Sequence, residues 1–248
     1  NAGIRFDIQN SLDSSWADPR NKTSGEVPTE WNVLLSPRLS ISHVITDRAT
    51  FTFGYGRYYQ NLTYRNIYLN DDNDLTTALP IVGNSHVQAQ GVTAYEFGLN
   101  WEFVDFWKLG VVGWSKDYSD LGSTERVQAF PYSYAVVVNY DYGSARGLDL
   151  RLIKRGGTAW STDIQYTLSR ATANRADAWQ GYRSSDTPES MPKKEVLMSY
   201  DRTHNLTMTG GYQFDKKNSP RFFGVYPLNK TAVHVTLVGI SGSPYTPF

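Results

Sequence analysis

Apolar and polar residues alternate with a period of two along most of this chain, and no stretch shows a sustained helical period. The cleanest case is Tyr95, Phe97, Leu99, Trp101 and Phe103, with Glu96, Gly98, Asn100 and Glu102 on the opposite face. Phe51, Phe53 and Tyr55 oppose Thr50, Thr52, Gly54 and Gly56 in the same way. Leu148, Leu150 and Leu152 alternate with Gly147, Asp149 and Arg151; Trp160, Ile164, Tyr166 and Leu168 with Ser161, Asp163, Gln165 and Thr167. A further run sets Leu206, Met208, Tyr212 and Phe214 against Asn205, Thr207, Thr209 and Gln213. Segments 36–45, 107–119 and 231–241 alternate less cleanly. In 107–119, Val111 and Val112 compete for the apolar face, and the pattern leaves that face open.

These segments run ~10–12 residues, longer than the ~5–6 usual in soluble sheets and close to a tilted membrane-crossing strand. Their connections are asymmetric. Tight turns are expected at Thr46-Asp47-Arg48, Val104-Asp105-Phe106 and Arg155-Gly156-Gly157-Thr158, and a turn of middling length at 215–229. They alternate with long connections over roughly 9–34, 60–92, 120–142 and 173–200. In an up-and-down meander every long loop then falls at one end, as in outer-membrane barrels. The fold class expected is all-β: an antiparallel up-and-down transmembrane β-barrel, present in part as about nine strands. An odd count does not close in the usual antiparallel manner. The opening Asn1-Ala2-Gly3-Ile4-Arg5-Phe6-Asp7 reads as the middle of a strand, and Pro244 and Pro247 suit no barrel-closing strand. The 248 residues are therefore expected to be a fragment of a larger barrel domain.

Composition qualifies this picture. Mean hydropathy is −0.46, a value that would suit a soluble protein, but lumen faces and long loops dilute the apolar signal of a membrane barrel. Seventeen Tyr, seven Trp and eleven Phe suit strands and interfacial girdles. Tyr55, Tyr58, Tyr59, Tyr95, Trp101, Phe103, Trp107 and Trp160 lie toward strand ends, where girdles form. Twenty-four basic residues balance 24 acidic ones, which argues against nucleic acid as a partner. With no Cys, thiolate metal sites and Cys nucleophiles are excluded.

Catalytic chemistry finds no support. The four histidines are far apart, and no G-x-S-x-G, P-loop or dinucleotide fingerprint is present, so no cofactor is expected. Asp71, Asp72 and Asp74 crowd oxygen ligands in one long loop and form a weak Ca²⁺ candidate without the spacing or glycine of an EF-hand.

Several segments carry a family likeness. They are Leu35-Ser36-Pro37-Arg38-Leu39-Ser40-Ile41-Ser42, Phe51-Thr52-Phe53-Gly54-Tyr55-Gly56-Arg57-Tyr58-Tyr59-Gln60, Tyr95-Glu96-Phe97-Gly98-Leu99 and Ala145-Arg146-Gly147-Leu148-Asp149-Leu150. Tyr166-Thr167-Leu168-Ser169-Arg170-Ala171, Tyr200-Asp201-Arg202-Thr203-His204-Asn205-Leu206 and Ser241-Gly242-Ser243-Pro244-Tyr245-Thr246-Pro247 complete the set. In that order they resemble the barrel of TonB-dependent outer-membrane receptors, closest to the Oar-like group.

The resemblance implies a barrel of about 22 strands around a plug, in a Gram-negative outer membrane, taking up a siderophore, glycan or peptide with energy relayed through TonB. The partners it implies are outer-membrane lipid, a plug and further strands lying outside this sequence, the TonB complex, and a small-molecule or oligomeric nutrient. Arg57, Glu96, Glu102, Asp149 and Arg151 would line the lumen or touch the plug; Tyr64, Tyr68, Trp179 and Tyr182 are candidate ligand contacts in the loops. A soluble secreted all-β carbohydrate-binding module, which predicts two packed sheets, and a passive outer-membrane porin are the competing readings.

Overall fold

The alternating segments form nine strands of one sheet. They are β1 (Ala2–Gln9), β2 (Asn32–Thr46), β3 (Ala49–Gln60), β4 (Gln90–Val104), β5 (Trp107–Val127), β6 (Tyr134–Lys154), β7 (Trp160–Ala173), β8 (His204–Gln213) and β9 (Ala232–Ile240). The computed structural model describes all residues except 71, 73, 77–79, 176–177, 185–194 and 245–248, and not the side chain of 184. Each strand pairs antiparallel with its predecessor, and β1 and β9 form the two open ends of the path. The result is an unclosed barrel wall. Among the described residues no helix is long and apolar enough to cross a membrane.

Register sorts the wall into two faces. One row runs through Phe51, Leu99, Val111, Leu150, Tyr166 and Leu206. The next joins Ala49, Trp101, Leu109, Leu152, Ile164, Met208 and Leu237. Between them, on the other face, lie Thr50, Asn100, Gly110, Arg151, Gln165 and Thr207. The face of β5 left open by the sequence is thereby fixed: Val111 shares the apolar rows, while Val112 sits between Gly98 and Asp149 on the polar face.

Among the described residues no second layer covers the apolar face. Phe97, Trp101, Met208 and Leu237 remain exposed, where two packed sheets would have buried them. The soluble two-sheet reading is therefore not favoured, because one layer with an open apolar face is what a lipid-facing wall requires. Aromatic pairs bound the apolar rows: Trp101–Phe103, Phe103–Trp107 and Trp107–Trp160 near the tight turns, Tyr55–Tyr95 toward the long loops. From Trp101 to Tyr95 the strand rises about 20 Å, compatible with a tilted apolar band about 25 Å tall. Tyr58 departs from the girdle expected for it. It belongs to the inner face, folded over Gly56, whose added Cβ would come within 2.5 Å of its hydroxyl, with the Arg38 guanidinium 4.6 Å above its ring.

The expected long connection over 120–142 is also corrected. β5 and β6 continue as a ladder up to Val127 and Tyr134, leaving 128–133 as the loop. This hairpin projects beyond the apolar band and organises the buried core. Trp16, Val82, Tyr134, Val136 and Val138 form one cluster; Leu62, Ile67, Val87 and Val137 form a second, on alternate positions of the same strand. Alternation persists here because protein, rather than lipid and lumen, covers the two faces. Ile81–Val82 adds a short parallel strand to Ala135–Val136, and Asn84 Nδ2 donates to the Val137 carbonyl at 3.0 Å.

Candidate functional site

Depressions mark the inner wall. Toward the tight turns, a cavity of about 490 Å³ is lined by Arg48, Asn100, Glu102, Lys108, Asp149 and Arg151, among others. Three of the five expected lumen residues, Glu102, Asp149 and Arg151, therefore meet in one place. Glu96 lies farther along the wall, opposite Gly54, beside a second cavity of about 430 Å³ that also contains Arg38, Tyr58 and Lys116.

Arg57 is the exception and corrects the expectation for it. It has the same strand parity as Tyr55 and Tyr59, pairs with Thr93, and stands over the Tyr59 ring at 5.1 Å. Charge alone suggested the lumen; strict alternation puts Arg57 outside, above the apolar rows.

Part of the inner wall is internally paired. Trp114 Nε1 donates to Asp149 Oδ2 at 3.0 Å and Thr167 Oγ1 to Asp149 Oδ1 at 2.7 Å. Arg151 forks onto Asp163 through Nε at 3.1 Å and Nη2 at 2.7 Å, and Arg155 approaches the same carboxylate at 3.7 Å. Bidentate pairs of this kind fix geometry.

At the long-loop end a cavity of about 350 Å³ lies between the inner wall and the loops, lined by Tyr118, Gly143, Ala145, Arg175, Met198 and Tyr200, among others. Arg175 is buried: Nη1 donates to Ser123 Oγ at 2.6 Å and to the Thr124 carbonyl at 2.8 Å, and Nε lies 3.6 Å from Asp141 Oδ1. Among the described residues its Nε and Nη2 have no hydrogen-bond partner. Burial pushes the Asp141 carboxyl above the usual range, against the opposing pull of Ser123, Arg175 and Asn174. These residues were missed as a site. In the sequence Arg175 is one charge within the expected long connection 173–200, and its burial arises from packing against Ser123 and Thr124 of β5.

The loop candidates are partly brought together. Tyr64 and Tyr68 stack on helix α1 (Tyr64–Tyr68), with centroids 6.2 Å apart, and Tyr68 Oη donates to the Ser11 carbonyl at 2.7 Å. Arg65 of the same helix lies 5.3 Å from the Trp179 ring, linking two loops. Tyr182, on helix α2 (Gln180–Ser184), is held by its backbone N–H to Thr124 Oγ1 at 3.0 Å. Asp71 of the Ca²⁺ candidate lies outside the described residues. Asp74 spends Oδ1 on the backbone and hydroxyl of Thr76, which hold its carboxyl below the usual range. Among the described residues no group of three His, Cys, Asp or Glu is arranged to hold a metal.

A one-layer meander with a lipid-compatible face, a polar inner face and a packed cap at the long-loop end defines part of an outer-membrane β-barrel. Comparison with known proteins agrees. Residues 1–241 match the family described as TonB dependent receptor-like, beta-barrel, and the chain belongs to that family. Similar solved structures include the FrpB iron transporter from Neisseria meningitidis (F3-3 variant), with a TM-score of 0.58 and 12% identity over 96% of this chain and 35% of that one. The alcaligin outer-membrane receptor FauA from Bordetella pertussis gives 0.51 and 12% over 88% and 30%. The Serratia marcescens hemophore receptor HasR, as a double mutant in complex with its hemophore HasA and heme, gives 0.52 and 15% over 86% and 37%. The chain thus spans about a third of the length of these structures. No curated protein matched the sequence.

Proposed function

We propose that this chain is the wall-and-vestibule portion of a receptor that imports a nutrient across the outer membrane with energy relayed through TonB, and that it performs no catalysis. The observation that carries the reading is sidedness. A polar inner wall, paired in part within itself, opens at one end onto a cavity beneath packed loops, and the opposite end has tight turns. Residues 1–248 would then be a fragment of the barrel domain, with the plug and remaining strands supplied by the rest of the receptor. Glu96, Glu102, Asp149 and Arg151 would face that plug, while Tyr64, Tyr68, Trp179 and Tyr182 would stabilise or contact what enters from above. The relatives bear the names of an iron transporter and of receptors for alcaligin and for a heme-carrying hemophore, which favours an iron-bearing nutrient over a glycan or peptide. The motif order adds membership of the Oar-like group.

The test is uptake of ferric siderophores and heme by cells carrying the full-length receptor, with and without TonB. Uptake that vanishes without TonB supports the proposal. Uptake that persists and does not saturate points to the passive porin instead.

A further inference from the structure

The fourth tight-end connection, residues 214–231 between β8 and β9, differs from the other three in length and charge. Those three are short, and their arginines are paired: Arg48 with Asp105 at 2.7 Å, Arg155 with Asp163 at 3.7 Å. The fourth carries Lys216, Lys217, Arg221 and Lys230 against a single carboxylate, Asp215. That carboxylate is turned onto its own backbone, accepting from the N–H groups of Lys217 at 2.7 Å and Asn218 at 3.1 Å. The four cations are exposed, and none makes an ion pair among the described residues.

The tip of this connection is apolar. Phe222 and Val225 exchange backbone hydrogen bonds of 2.9 Å in each direction, closing a two-residue turn on Phe223 and Gly224. Both central residues have positive φ, 46° and 84°. Gly or Asn is usual at such a position, and a bulky ring there is an outlier. The Phe223 ring is fully exposed, and Phe222 and Val225 are more than half exposed. The base of the connection is tied: Phe214 and Thr231, and Lys230 and Phe214, are joined by backbone hydrogen bonds of 2.8 and 2.9 Å. Phe214 also stacks edge-on against Tyr212 of the lipid-facing rows, with centroids 4.8 Å apart. An aromatic tip, on a connection carrying four cations without ion pairs among the described residues, thus joins the lipid-facing rows through Phe214 and Tyr212 past the end of the wall.

We propose that this connection is an interfacial anchor, with Phe222 and Phe223 dipping into the periplasmic leaflet and the four cations gathering anionic phospholipid headgroups around it. Aromatic rings favour the headgroup level, and each Lys or Arg near an anionic surface adds attraction. The inference rests on the outer-membrane placement of the wall. It commits to lipid as the occupant because charge complementarity and continuity with the lipid-facing rows both point there.

The test uses the full-length receptor, with any native Cys replaced, in nanodiscs of phosphatidylethanolamine and phosphatidylglycerol. A nitroxide is attached at Phe223→Cys, and at Val235→Cys and Tyr132→Cys as wall and long-loop controls. Collisions with oxygen and with a water-soluble nickel chelate then report depth. The proposal expects the label at 223 to be open to oxygen and shielded from nickel. Open access to nickel at 223 overturns it, and shielding from both reagents overturns it in favour of a protein partner such as the plug. A water-like reading at 235 would instead sink the membrane placement itself, so the two failures are distinguishable. Independently, changing all four cations to Gln should lower the preference for spin-labelled phosphatidylglycerol over phosphatidylcholine at least about five-fold. An unchanged preference also overturns the proposal.

Discussion

Arg20 and Glu125, which come from a loop and from the projecting part of β5, meet through a guanidinium–carboxylate pair at 3.0 Å. Glu125 is almost wholly buried and Arg20 only partly. Arg20 also touches the Tyr140 hydroxyl, and Tyr134 Oη donates to the Pro19 carbonyl at 3.0 Å, so the pair pins the first long loop to the hairpin. The Tyr134 hydroxyl is itself pushed up to about 12, by burial first and then by the negative charges of Asp18 and Glu125.

Arg20→Ala should therefore strand a buried carboxylate and loosen the loop rather than the wall. The expected cost is about 1–3 kcal/mol, read as faster hydrogen exchange at amides of the Ser14–Trp16 and Glu26–Pro28 strands. Exchange at β4 and β7 amides should not change. Equal acceleration throughout would show that the loop and the wall open together.

Neighbouring valines on β5 provide a test of sidedness. Val111 lies between Leu99 and Leu150, and Val112 between Gly98 and Asp149. Val111→Arg should destabilise the full-length receptor by about 2–4 kcal/mol, the cost of Arg near the bilayer midplane. Val112→Arg gains a carboxylate neighbour and should cost much less. Urea unfolding in lipid vesicles checks the difference, and equal losses would sink the assigned faces.

The wall was legible in the sequence because a strand between lipid and lumen must alternate, and Phe97 or Leu150 can sit on only one face. Tight turns were legible for the same reason, since alternation stops at them. At Val111 and Val112 two apolar neighbours erased the signal, and only the register with Leu99 and Leu150 restored it. Arg57 was misread by treating charge as stronger than parity. The vestibule was scarcely legible at all. Glu125, Asp141 and Arg175 are charged residues that the sequence presents as loop surface, and they are buried because segments distant along the chain fold onto the β5–β6 hairpin.

Lys154 is the charged residue most deeply held near the tight turns. Its register faces Trp107 on the lipid side, yet its ammonium turns back to donate to the Trp160 carbonyl at 2.8 Å and to Thr158 Oγ1. The Trp160 ring lies 3.9 Å above it. Lys154→Met keeps the apolar stem and removes those bonds, so a loss of about 1.5–3 kcal/mol is expected. The Trp107–Trp160 edge contact should slacken with it, which near-ultraviolet circular dichroism of the folded receptor can follow. An unchanged unfolding midpoint would show that the ammonium contributes no net stability.

Arg175 and Asp141 predict a pH dependence confined to the vestibule. In the native protein burial already raises the Asp141 carboxyl, and Arg175 is among the groups that hold it down. Arg175→Met removes that cation and should raise the carboxyl further. For an acid raised in the folded state, stability is fully present below its unfolded value and is lost as pH rises through the folded value. The docked loop should therefore be firmer near about pH 4, where an unfolded Asp begins to protonate, than at neutral pH. Adding Asp141→Asn to Arg175→Met should flatten the profile while leaving the hydrogen bonds to Ser123 and Asn174 possible. Hydrogen exchange of the 195–203 amides, corrected for intrinsic pH effects, is the measurement. Looser docking on acidification of Arg175→Met would mean that another group governs the loop.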